Sequence, residues 1–205
     1  RLKAMRANEG VVLVDMDGVI ADFEVPNNDI IRTHFPHIEP VIDRTDFYYK
    51  DTYRDYEGVN DVIYRENRRP GFFMSFPLVD GVIDGLERIL NAGFSWRVCS
   101  SPLTDHITVI AEKKEYLEEY IVPYFGAWVL DEAIFDRDKS SYDAVAMIDD
   151  RPTLRNVKRA RWQHVMFTQS YNKPIETNFR LQDWHDPSLE NLLVKAKEKY
   201  LHKRQ

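Results

Sequence analysis

Val11-Val12-Leu13-Val14-Asp15-Met16-Asp17-Gly18-Val19-Ile20-Ala21-Asp22-Phe23 is the stretch on which the fold turns. Four aliphatic residues run into two carboxylates one residue apart, with glycine directly after. A continuous apolar run of this kind reads as a strand buried on both faces, at home in a sheet covered by helices. Open α/β sheets place their ligands outside the carboxyl ends of their strands. Asp15 and Asp17 would stand at that edge, where close carboxylates raise each other's pKa unless a cation offsets them. A hard divalent cation such as Mg²⁺ prefers oxygen ligands and keeps bound water, so it suits the pair. The stretch reads as a metal-assisted reaction centre.

Further along, apolar and polar residues alternate in blocks that predict strands separated by helices. Gly81–Leu90 carries apolar residues at helical spacing, with Gly93 as its stop. Strands are expected at Ser95–Ser100, Ala127–Leu130, Asp143–Ile148 and His164–Phe167, with helices over Thr104–Tyr120 and Ser188–Leu201. Such alternation implies parallel pairing with right-handed crossovers, a Rossmann-like doubly wound α/β fold. Between the first strand and this regular region, residues 24–76 are rich in aromatics, prolines and charges, with helical pieces at Asn28–Phe35 and Tyr56–Arg68. They are expected to form a small helical cap inserted after the first strand. The core would then comprise 11–23 and 77–205, preceded by a flexible arm, 1–10.

The bulk composition narrows the partners. At 205 residues, with 43% hydrophobic and 13% aromatic content, the chain can bury a sizeable core. A net charge of −6 disfavours an extended polyanion such as nucleic acid. One cysteine, Cys99, precludes an internal disulfide and fits a reducing compartment. No run approaches the roughly 20 apolar residues of a membrane span, and Arg1–Gly10 lacks the apolar centre of a secretory signal. A cytoplasmic protein is expected.

Four chemically loaded spots follow strand ends: Asp15 and Asp17; Ser100-Ser101-Pro102; Asp136-Arg137-Asp138-Lys139; and Ile148-Asp149-Asp150-Arg151-Pro152. Parallel strands bring such ends to one edge, so a nucleophile, hydroxyl donors, a lysine and a metal-binding acidic pair meet in one crevice. That inventory serves phosphoryl transfer through a covalent aspartyl phosphate.

Taken in this order, the four motifs resemble those of the haloacid dehalogenase superfamily, and their wording resembles the 5′(3′)-deoxyribonucleotidases. The resemblance implies a homodimeric Mg²⁺-dependent phosphatase acting on nucleoside monophosphates. It makes Asp15 the nucleophile and Asp17 the general acid and base. Ser100, the backbone N–H of Ser101, and Lys139 would bind the phosphoryl group. Mg²⁺ would be held by Asp15, the backbone carbonyl of Asp17, and Asp149, while Asp150 would complete the metal shell through water or orient Lys139. Phe23, Phe47 and Tyr48 are the implied base pocket, by stacking.

Other readings compete at single positions. Ser100 and Ser101 also suit helix capping, and Lys139 by itself suits a solvated surface. Phe47, Tyr48, Tyr49, Tyr53 and Tyr56 could build the core of the insert. Arg68, Arg69, His34 and His37 read as surface residues, and Cys99 as a small buried hydrophobe. Rival functions are a phosphatase of another small metabolite such as a sugar phosphate, a nucleic-acid end-processing phosphatase, and a catalytically silent binding module.

Overall fold

A computed structural model of the chain describes residues 9–103 and 108–203. Its strands are β1 (Val11–Val14), β2 (Ser95–Ser100), β3 (Ile134–Phe135), β4 (Ala146–Asp149), β5 (Gln163–Phe167) and β6 (Arg180–Leu181). They form one sheet in the order β3-β2-β1-β4-β5-β6, with every strand pairing parallel. The chain leaves β1 in one direction for β2 and β3, then crosses back to lay β4, β5 and β6 on the other side. The reversal falls between β1 and β4, the switch point where doubly wound sheets open a crevice.

Side chains along a strand alternate between faces, and here both faces are buried. Val12 and Val14 join Trp96, Val98, Ala146, Ile148, Val165 and Phe167 in the larger core. Against that face pack α4 (Val82–Asn91), through Leu86 and Ile89, and α8 (Leu189–His202), through Leu193 and Ala196. Leu13, Cys99 and Met147 point the other way, toward Leu154, Ala160 and Trp162. Cys99 is fully buried, and burial pushes its thiol up to about 12. It packs as a hydrophobe.

Between β1 and α4 lie α1 (Glu24–His34), α2 (Tyr49–Thr52) and α3 (Val59–Glu66). The Asp22 carboxylate accepts the Glu24 N–H at 2.9 Å, so α1 begins four residues earlier than its apolar spacing predicts. Ile30, Ile31, Ile38, Tyr53, Val59 and Ile63 form a separate small apolar cluster. Of Phe47, Tyr48, Tyr49, Tyr53 and Tyr56, Tyr53 thus serves as core, with Tyr49 stacked on it. Arg69, His34 and His37 are exposed, Arg69 paired with Glu66 at 2.6 Å, while Arg68 is half-buried.

One expected strand is a helix. Ala127–Leu130 lies in α7 (Trp128–Asp131), which follows α5 (Val109–Tyr120) and α6 (Val122–Phe125). Gly126 turns the backbone at φ 106° just before it, and Trp128 packs on Trp96 at 4.7 Å between ring centroids. Four apolar residues satisfy either geometry, and the tryptophan contact decides for the helix. The strand beside β2 is instead Ile134–Phe135, in register with Cys99 and Ser100. The two-residue β6 carries too little pattern to be foreseen. Residues 104–107 of the predicted helix and 1–8 of the predicted arm lie outside the described residues.

Trp184 ties the sheet's helical cover to the loop after β1. Its indole N–H donates to the Val19 carbonyl at 2.8 Å, and its ring lies against Gly85 of α4. A methyl at Gly85 would run into that ring, with Cδ2 at 2.8 Å. Glycine to alanine ordinarily favours a helix interior by about 1 kcal/mol. Here overpacking reverses the sign. Gly85→Ala is expected to destabilise by about 1–3 kcal/mol, read as a fall of roughly 2–4 °C in Tm per kcal/mol.

Candidate active site

The Asp15 N–H donates to the Ile148 carbonyl at 2.9 Å, extending the β1–β4 ladder past Val14 opposite Ile148. That register sets Asp15 beside Asp149, the last residue of β4. Between them lies Lys139, whose Nζ donates to Asp15 Oδ1 and Asp149 Oδ2, each at 2.7 Å. Far from being a surface lysine, Lys139 is 5% exposed. It opens a short 3-10 turn, Lys139–Ser141, capped by Asp138, which accepts the Ser140 N–H at 3.2 Å. The Trp162 indole N–H fixes the Lys139 carbonyl at 3.0 Å. The turn delivers the ammonium to the sheet edge, and the tryptophan locks it there.

Three carboxylates crowd this edge: Asp15, Asp149 and Asp150 each offer an oxygen within 4.8 Å of the others. Burial and the neighbouring Asp149 push the Asp15 carboxyl up to about 6, although Lys139 pulls it down. Burial and the same carboxylates hold Asp150 well above the usual carboxylate range. Burial would lower Lys139, but Asp149 and Asp15 outweigh it and the ammonium is held firmly charged. One cation among three acids leaves a negative site. Asp150 accepts from the Tyr171 hydroxyl, while Asp15 and Asp149 hold Lys139. Of the two roles expected for Asp150, orienting Lys139 is therefore not the contact found.

Asp17 stands across the crevice, its Oδ2 bound by the Lys113 ammonium at 3.0 Å and its buried Oδ1 without a hydrogen-bond partner. Lys113 also donates to Ser100 Oγ at 2.7 Å and to the Ser101 carbonyl at 3.4 Å. This lysine was not foreseen, because isolated lysines on charged helices are ordinarily solvated. A signal existed: Lys113 falls on the stripe of Val109, Tyr116 and Leu117, the buried face of α5. Gly18 makes the turn after Asp17 at φ 79°, and a side chain there would strike Asp150 and Phe23.

Above the acidic edge opens a cavity of about 250 Å³. Asp15, Asp17, Ser101, Lys113, Lys139 and Asp150 form its polar floor. Phe23, Phe47, Tyr48, Tyr49, Phe72, Phe73 and Phe76 form its aromatic wall. Phe47 is held edge-on to Tyr171 at 5.3 Å, with the Arg151 guanidinium 5.1 Å from its ring centre. Tyr48 sits at the rim, half exposed. The predicted aromatic residues are thus brought over the carboxylates. Ser100 is fully buried beneath them, and Asp149 is likewise covered.

The donor set fits a hard divalent cation. Buried carboxylates in excess over their lysine form an all-oxygen cradle of unbalanced charge.

The parallel switch-point sheet is the fold of the haloacid dehalogenase-like hydrolases. Among solved structures, the Bacillus subtilis HAD-hydrolase YfnB aligns with a TM-score of 0.52 at 14% identity, over 92% of this chain and 99% of that one. The model of the family described as 5′ nucleotidase, deoxy (Pyrimidine), cytosolic type C matches residues 9–199. A Bordetella bronchiseptica protein bearing a 5′(3′)-deoxyribonucleotidase name is 35% identical over 179 residues, 86% of this chain and 92% of that protein. The human cytosolic-type 5′(3′)-deoxyribonucleotidase is 30% identical over 184 residues, 85% of this chain and 89% of its own. The chain belongs to this nucleotidase family and is a phosphoric monoester hydrolase. No helix among the described residues is long and apolar enough to cross a membrane.

The raised Asp15 carboxyl has a consequence for the metal-free protein. Between its ordinary 3.8 and about 6, the folded chain holds a proton that the unfolded chain has released. Stability therefore falls as pH rises through that window. In chelator, Asp15→Asn is expected to gain on the parent protein between pH 4 and 7, by on the order of 2 kcal/mol. Parallel thermal melts across pH check this; a constant difference between the two proteins would contradict it.

Proposed function

We propose that this chain hydrolyses deoxyribonucleoside monophosphates, through an aspartyl phosphate on Asp15 and with Mg²⁺ as its metal. The observation that carries the reading is the stacking of an aromatic-walled cavity directly over Asp15, Asp17, Lys113 and Lys139. A phosphate ester whose leaving group carries a planar ring matches both layers. The names of the relatives point to the same substrate class.

In this reading Lys139 holds Asp15 Oδ1, and Oδ2 attacks phosphorus along the line to the ester oxygen. The P–O ester bond breaks as Asp17 gives its proton to the departing nucleoside oxygen. Water then attacks the acyl phosphate and Asp17 takes a proton from it; phosphate leaves and the Asp15 carboxylate is restored. Lys113 keeps Asp17 and Ser100 in place through bonds of 3.0 and 2.7 Å, and Lys139 offsets charge on the phosphoryl oxygens.

Asp15, Asp149 and Asp150, with the Asp17 carbonyl, would hold the cation, which when bound supplies charge neutralisation at the phosphoryl group. The solved YfnB structure has magnesium bound, in keeping with this choice. Ser101 would line the phosphate site, with Ser100 buried beneath it against Lys113, and Phe23, Phe47 and Tyr48 would stack on the base. Residues 24–76 act in this reading as the substrate-selecting cap on a core of 11–23 and 77–205. A homodimer, by family resemblance, and a cytoplasmic location, from the single cysteine, complete it.

Phosphate release from nucleoside 5′- and 3′-monophosphates and from sugar phosphates, with Mg²⁺ and with chelator, tests the reading. Metal-dependent preference for deoxynucleotides is expected, and preference for a hexose phosphate would sink it. Asp15→Asn should lower kcat by at least about 10³-fold, as expected on losing a nucleophile, with an unchanged circular dichroism spectrum. Lys113→Met should lower kcat by about 10²-fold, since both Asp17 and Ser100 lose their anchor.

A further inference from the structure

We propose that Arg44 is the positioning residue of substrate selection: it clamps the segment Asp46–Tyr49 so that Phe47 and Tyr48 face the cavity. The inference rests on the nucleotidase reading and adds to it the group that builds the base pocket. Arg44 does not line the cavity, so it acts through the residues it holds.

Its side chain is fully buried, a place arginine occupies only when its donors and charge are matched. Nε donates to both carboxylate oxygens of Glu24, at 3.1 and 3.2 Å, and Nη2 to Oε1 of the same carboxylate. Nη1 donates to the carbonyls of Asp46 at 2.8 Å and Phe47 at 3.0 Å. The flat face of the guanidinium lies 3.9 Å from the centre of the Tyr49 ring, with Tyr171 at 5.2 Å. Glu24 closes the loop by accepting the Tyr49 hydroxyl at 2.7 Å. Two carbonyls, one ring and one hydroxyl of the same short segment are thus fixed on a single ion pair.

The far side of the clamp reaches the reaction centre. Phe47, whose carbonyl Arg44 holds, packs its ring on Tyr171, and the Tyr171 hydroxyl donates to Asp150. The aromatic wall is thereby indexed to the acidic floor through one tyrosine. A buried ion pair contributes little net stability compared with apolar packing. Its distinctive product is geometry, because the planar fork fixes direction at every donor. Lysine would keep the charge and lose the fork.

Arg44→Lys separates positioning from folding. Amide hydrogen exchange in residues 46–49 is expected to quicken by at least about tenfold, as in a segment released to local opening, with β1 and β4 unchanged. The KM for deoxyuridine monophosphate should rise by about tenfold, the size of one lost base–aromatic stack, with kcat within about threefold. The kcat/KM for deoxyribose 5-phosphate, which has no ring to stack on the wall, should stay within about twofold. Equal losses on both substrates, or unchanged exchange at 46–49, would overturn the clamp. If Arg44→Lys gives no cooperative melt, Glu24→Gln applies the same tests from the other side of the pair. Should the parent protein release phosphate from neither substrate, the nucleotidase reading falls, and the exchange measurement alone decides for or against the clamp.

Discussion

The bridge from Lys139 to Asp15 and Asp149 is the constraint around which the rest of the site is arranged. Adjacent parallel strands in register must bring the residues at their carboxyl ends side by side, and here both ends are aspartates. Without a cation the edge would repel itself. With Lys139 it is tolerated, and only because the lysine is brought in by a capped turn and pinned by Trp162. The neighbouring Asp150 is accommodated differently, through a hydrogen bond from Tyr171. Gly18 is required by the same crowding, since its missing side chain is the space that Asp150 and Phe23 fill.

Another buried cation, Arg44, plays the opposite part to Lys139. Lys139 sits among more acids than it can balance, so its surroundings remain attractive to positive charge. Arg44 is matched by Glu24 and by carbonyls and ring faces, which leaves nothing for a ligand to complete. An unbalanced site invites chemistry, whereas a balanced one supports structure. Both are joined through Tyr171, which touches the Arg44 face and the Asp150 carboxylate.

Much of this was legible in the residues themselves. The aliphatic run ending in Asp15 and the one ending in Asp149 announced buried parallel strands, and chemistry at their ends followed from topology alone. What stayed hidden has physical reasons. Ala127–Leu130 satisfies two geometries, and only the packing of Trp128 on Trp96 selects the helix. Lys113 is chemically indistinguishable from its solvated neighbour Lys114 until the buried face of α5 is known. Arg44 and Glu24 are 20 residues apart, and nothing local in either tells of the other. The aromatics divided between roles for the same reason: Tyr53 entered the small apolar cluster while Phe47 turned to the cavity.

That division has a consequence for how selectivity can change within such a fold. The catalytic groups are bound to strand ends and turns of the sheet, where a shift of one residue reverses every side chain. The aromatic wall hangs instead from short helices and a loop, held at a few polar anchors. Substitutions that alter the wall can therefore leave the acidic floor in register, because the two layers meet through side-chain contacts such as Phe47 on Tyr171, Arg151 over Phe47 and Lys113 over Phe73. Reaction and recognition are built on elements of different rigidity, and the rigid one carries the charge.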